Sequence, residues 1–165
     1  MKASLLLVAL VLVLGFSSVG QRSATAQPVD DVIARGRLLV NYGGCNDCHT
    51  AGWMTKPGGV PEAERLTGVP IGFSGPWGTS YAINLRLFFT RVPEDRWNGM
   101  AAGPRRSHPP MPWWNIEQLS ASDLHALYAY VHSLGEVGGP APDFVPPGGK
   151  VTTPVVHMEA VPPSP

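Results

Sequence analysis

The sequence predicts an all-α domain, roughly three to five short helices joined by long irregular connections. Three observations lead there. Residues 30–42 and 120–134 carry apolar side chains at helical spacing. Residues 50–82 hold neither a helical nor a strand period and are punctuated throughout by Gly, Pro and Thr. With 18 Pro and 19 Gly, much of the chain must be loop, so the core is modest and a covalent staple is expected.

The N-terminus fixes the compartment. Lys2 precedes an apolar run from Leu5 to Phe16, and Ala24-Thr25-Ala26 then offers small residues at signal-peptidase spacing. Cleavage is expected before Gln27, which makes residues 1–26 a signal peptide and the mature chain periplasmic. The run falls short of the ~20 residues that span a bilayer; an uncleaved N-terminal anchor is the alternative. No later segment is apolar enough to span a membrane. Losing Lys2 and Arg22 from the 12 basic residues leaves ten against 12 acidic ones. That balance offers no footprint for nucleic acid. Residues 27–137 form one domain, and the Pro-rich tail 138–165, which has no period, is expected to be disordered.

In the first helix, Asp30 or Asp31 is expected to cap and to complement the dipole. Val32, Ile33, Leu39 and Val40 supply its apolar positions, yet Gly36 interrupts it. Gly inside a helix costs about 1 kcal/mol relative to Ala, so close approach of another helix is expected there. Gly43-Gly44 ends it. Residues 84–100 predict one or two short helices broken at Pro93, with Glu94 to Trp97 suited to a first turn. The last helix has capping oxygens at Ser120 to Asp123. Leu124, Leu127, Tyr128, Val131 and Leu134 follow at helical spacing, and Gly135 stops it.

Two cysteines in an exported chain first suggest a disulfide. Their spacing argues otherwise. Cys45-Asn46-Asp47-Cys48-His49 is the haem attachment signature: two thiols add across two porphyrin vinyl groups, and the next imidazole reaches the iron. A thioredoxin-like pair belongs with a βαβ pattern, which does not follow. A zinc site would need further Cys or His at ligand spacing. The expectation is one covalent haem c on Cys45 and Cys48, with His49 as proximal iron ligand.

The other face of the iron decides between electron transfer and ligand binding. Met111 is the predicted distal ligand, in the segment His108-Pro109-Pro110-Met111-Pro112-Trp113-Trp114. Its prolines stiffen the loop, so holding a thioether at the iron costs little extra ordering entropy. Met100 and His108 are the competitors. Met54 stands too near His49 in sequence to cross the ring, and Met158 and His157 lie in the tail. His125 and His132 are expected at the surface or satisfied in the core.

Residues 30–135 resemble a class I c-type cytochrome: N-terminal helix, attachment motif, Met loop and closing helix. The resemblance implies His49 and Met111 as the axial pair, and Gly36 and Val40 packed against Leu127 and Tyr130. Gly75 to Tyr81, Asn84-Leu85 and Met111 to Asn115 are similar to the haem domains of periplasmic alcohol, aldehyde and sugar-acid dehydrogenases. Arg86-Leu87-Phe88-Phe89 departs from that subgroup, which turns polar there. Trp77, Tyr81, Asn84 and Arg86, by their place in this segment, are candidates for the haem edge or propionates, with Arg105 and Arg106 as others. The implied function is one-electron transfer without substrate chemistry, not catalysis. The implied partners are a periplasmic dehydrogenase or a terminal oxidase. The alternative is an enzyme or gas sensor with an open sixth iron position.

Overall fold

A computed structural model describes residues 28–56, 58–104 and 107–159. The expected signal peptide, residues 1–26, lies outside the described residues, as do Arg105 and Arg106. No helix of the described residues is long and apolar enough to cross a membrane.

Helix α1 spans Val29–Tyr42 and α2 spans Cys45–His49. Asp30 and Asp31 sit inside the first turn of α1, where they complement the dipole but do not cap it. Helices α3 (Leu85–Arg91) and α4 (Glu94–Ala102) divide at Pro93, which caps α4. A short α5 covers Trp113–Ile116, and α6 runs Ala121–Ser133 with the Ser120 hydroxyl accepting from the Asp123 amide at 3.1 Å.

The expected all-α fold is overturned. Strands β1 (Gly72–Gly75), β2 (Gly78–Tyr81) and β3 (Val155–His157) form a mixed sheet in the order β2-β1-β3, so the fold combines helices with a sheet. β1 and β2 are an antiparallel hairpin, and β3 joins β1 in parallel, with Gly72 opposite Val155. The reason is non-local pairing. Segments such as Gly72-Phe73-Ser74-Gly75 have little strand character alone and become a strand when two neighbours satisfy their backbone groups. Residues 155–157 of the tail, where disorder was expected, are thus a strand of the sheet.

The core forms where α1 and α6 cross. Gly36 provides the expected close approach: a Cβ there would meet the Ala126 carbonyl and the Tyr130 side chain. Val40, Leu66, Phe89, Trp97, Leu127 and Val131 fill the rest. Aromatic edges tie the shorter helices in, with Phe89 against Trp97 at 4.9 Å and Trp97 against Trp113 at 6.1 Å.

Candidate haem site

The chain leaves α1 through Gly43 and reverses at Gly44, whose φ of 66° is left-handed and favours glycine. That turn starts α2 at once, so Cys45 and Cys48 lie one helical turn apart, both as half-buried free thiols. Burial pushes the Cys45 thiol up to about 11 and the Cys48 thiol in the same direction.

His49 follows, only 8% exposed. Its Nδ1 lies 2.7 Å from the Ile83 carbonyl oxygen. A carbonyl can only accept, so Nδ1 carries the proton and the Nε2 lone pair is left for a metal. Burial lowers the His49 pKa, the first cause, while the Ile83 hydrogen bond pulls the other way; the ring is kept neutral, as a metal ligand must be.

A second layer holds α2 and had no motif to announce it. Asn46 donates to the Asn41 side chain at 3.1 Å and accepts from the Thr50 hydroxyl at 2.8 Å. Thr50 in turn accepts from the Leu66 amide at 2.9 Å. Leu66 is fully buried at φ 62°, a left-handed conformation costing a leucine on the order of 1–2 kcal/mol. The Leu66 carbonyl accepts from the Leu85 amide, and the His49 carbonyl from the Gly68 amide. One loop thus joins α2 to the start of α3. Asn46 was visible inside the attachment motif, but a buried amide network has no periodic signature; Leu66 had none either.

Met111 is half-buried and packs against the core, and the Trp113 amide donates to its carbonyl at 2.9 Å. Met100 is half-buried on α4, Met54 is 74% exposed, and Met158 is exposed beside β3. The His108 ring stacks on Phe144 at 3.8 Å. On α6, His125 pairs with Glu94 at 2.7 Å and His132 lies against Tyr128.

The four candidates for the haem edge have other partners. Asn84 caps α3 by accepting from the Leu87 amide, and it donates to the Val137 and Gly139 carbonyls. Arg86, buried, donates to Ala63, Leu134 and Gly135 carbonyls, closing the end of α6. Trp77 donates to the Phe73 carbonyl, and Tyr81 pairs with Thr153 at 2.7 Å. The hydrogen bonds of these four side chains go to backbone and tail groups. Trp113 differs. Its indole Nε1 is buried and has no hydrogen-bond partner among the described residues, two residues from Met111. A buried donor of this kind is commonly met by ordered water or by a bound group.

The donor set therefore fits a haem: two thiols on one helical turn, a neutral imidazole with Nε2 available, and an indole N–H without a partner among the described residues. It does not fit a bare metal ion, because no group of three or more His, Cys, Asp or Glu side chains gathers among the described residues.

No family model matches the chain, and no solved structure matches it. One curated relative is a subunit of nicotinate dehydrogenase from Pseudomonas putida. It is 28% identical over 120 residues, which cover 67% of this chain and 9% of that relative. The chain is thus distantly similar to a small part of a dehydrogenase subunit.

Proposed function

We propose that the chain is a single-haem c-type cytochrome of the class I type, exported to the periplasm, which passes one electron at a time between protein partners. His49 is the observation that carries this reading. Its Nδ1–H is committed to the Ile83 carbonyl, and its Nε2 is free for iron directly after two thiols at attachment spacing. The raised thiols speak against the dithiol–disulfide rival, which works through a low-pKa thiolate.

The haem supplies the redox chemistry, its iron gaining or losing a single electron. The chain's residues bind and tune it. Cys45 and Cys48 would hold it covalently, and His49 Nε2 would be an iron ligand. Met111 would be the second iron ligand, a thioether that would favour the ferrous state and raise the potential. Trp113 Nε1 is the donor for an acidic group of the porphyrin, and the aromatic core keeps water out. The similarity to a nicotinate dehydrogenase subunit supports a dehydrogenase as redox partner; a terminal oxidase is the alternative partner.

Maturation with haem in a bacterial periplasm tests this, read by ferric and ferrous spectra of wild type, Cys45→Ser and Met111→Ala. The expected wild type has covalent low-spin haem and an iron–thioether band that Met111→Ala lacks. A chain recovered with both cysteines intact and no covalent haem would sink the proposal. A high-spin wild type that takes up carbon monoxide would favour an open iron, and a band surviving Met111→Ala would move the ligand to Met100.

A further inference from the structure

The Met111 loop is fastened from outside the helical core. The Ser80 hydroxyl on β2 donates to the Pro109 carbonyl, and the His108 ring lies flat on Phe144 at 3.8 Å with planes 3° apart. Phe144 belongs to the tail, which is itself tied down on both sides. Next to it, Val145 and Thr79 exchange backbone hydrogen bonds of 2.9 and 2.7 Å, and Thr79 is buried. Further on, Tyr81 meets Thr153 at 2.7 Å, the Gly72 amide donates to Pro154, and β3 pairs with β1.

These contacts form a chain of constraint from the sheet to the loop. The sheet anchors the tail at Thr79–Val145 and along β3, the tail carries Phe144, and Phe144 covers His108, three residues before Met111. The loop is half-buried, with His108 exposed. We propose that residues 140–158 are a strap that positions the Met111 loop, with Phe144 on His108 as its clasp. Phe144 and His108 are positioning residues: they govern how often the loop opens, not what the iron does when it is closed. The inference rests on Met111 being an iron ligand.

An exogenous ligand can reach the iron on that side only when Met111 leaves, so its rate of uptake reports loop opening. The test is imidazole binding to the ferric haem-loaded protein at pH 7, alongside the iron–thioether band. Removing a stacked ring in Phe144→Ala should raise the rate about tenfold, in keeping with what an aromatic pair contributes. Phe144→Tyr keeps the ring and should keep the wild-type rate. His108→Ala breaks the same stack from the loop side and should match Phe144→Ala, so the test stands even where one variant fails to mature. The double variant should be no faster than either single one, because one contact is lost in all three. Rates indistinguishable from wild type in Phe144→Ala or His108→Ala would overturn the strap and leave the Met111 ligand standing. A wild type without the thioether band would overturn both.

Discussion

Gly36 of α1 packs directly on Tyr130 of α6: a Cβ at position 36 would lie 2.5 Å from that of Tyr130 and closer still to the Ala126 carbonyl oxygen. Since real Cβ atoms do not approach so closely, Gly36→Ala must push the helices apart. Alanine's better helix propensity returns about 1 kcal/mol. Overpacking costs about 1–3 kcal/mol and more where backbone is struck. The expected net loss is about 1–2 kcal/mol, and larger for Gly36→Val. Urea midpoints of the haem-loaded proteins measure it; a Gly36→Ala protein as stable as wild type would show that α1 and α6 can separate without loss.

Arg86 is buried and gives its guanidinium donors to the carbonyls of Ala63, Leu134 and Gly135. Arg86→Met keeps the length of the side chain and removes every donor. Hydrogen bonds to a charged group are worth about 1.5–3 kcal/mol each, and buried carbonyls left unpaired add their own cost. The variant should lose about 3 kcal/mol or more on urea unfolding. A loss under about 1 kcal/mol would mean that water replaces the guanidinium and that Arg86 is not the closure of α6.

Glu62, Tyr130 and Arg37 form a cluster whose two ends titrate in opposite directions. The Tyr130 hydroxyl donates to Glu62 at 2.7 Å, and the Arg37 guanidinium lies 2.8 Å from the same oxygen. The hydrogen bond from Tyr130, and then Arg37, holds the Glu62 carboxyl below its ordinary 4.5. Its folded pKa is depressed, so its contribution is present above pH 4.5 and is lost as pH falls through the folded value. Because Glu62 is 37% exposed, solvent screening keeps that contribution under about 1 kcal/mol. Burial, then Glu62, pushes Tyr130 up to about 12 from 10. A raised tyrosine contributes fully below pH 10 and loses its contribution as pH rises to about 12. Unfolding midpoints should accordingly fall at both extremes. Glu62→Gln should flatten the acid limb and Tyr130→Phe the alkaline one; limbs unchanged in both variants would remove the cluster from the pH response.

The same residues show what could be read from sequence. Helix α6 was legible because its apolar spacing, Ser120 cap and Gly135 stop agree with one another. Gly36 was legible through its cost: a glycine within a helix needs a neighbour, and Tyr130 and Ala126 supply it. Cys45, Cys48 and His49 could be picked out because their spacing is local. The sheet was not. β1 and β2 have four residues each without apolar alternation, and β3 pairs with β1 from more than eighty residues away. For the same reason the partners of Trp77, Tyr81, Asn84 and Arg86 could not be read from sequence: most, the Thr153 hydroxyl among them, come from distant segments. Polar residues were recognisable by type, but their partners were a property of the tertiary structure.

Trp113 separates a packing role from a haem-facing one. Its ring stands edge-on to Trp97 at 6.1 Å, and its Nε1–H is buried without a partner among the described residues. Trp113→Phe keeps most of the ring contact and deletes only the donor together with part of the indole. If that donor serves no acceptor, its removal relieves an unsatisfied buried group and leaves stability unchanged or slightly higher. If it serves an acidic group of the haem, removal forfeits a charge-assisted hydrogen bond worth about 1.5–3 kcal/mol. The expected outcome is the second: haem-loaded Trp113→Phe should unfold at lower urea than wild type. Its reduction potential should also fall, because an acidic group deprived of its donor stabilises the ferric charge. Equal stability and equal potential in the two haem-loaded proteins would assign Trp113 to packing alone and leave the porphyrin's acidic groups to other donors.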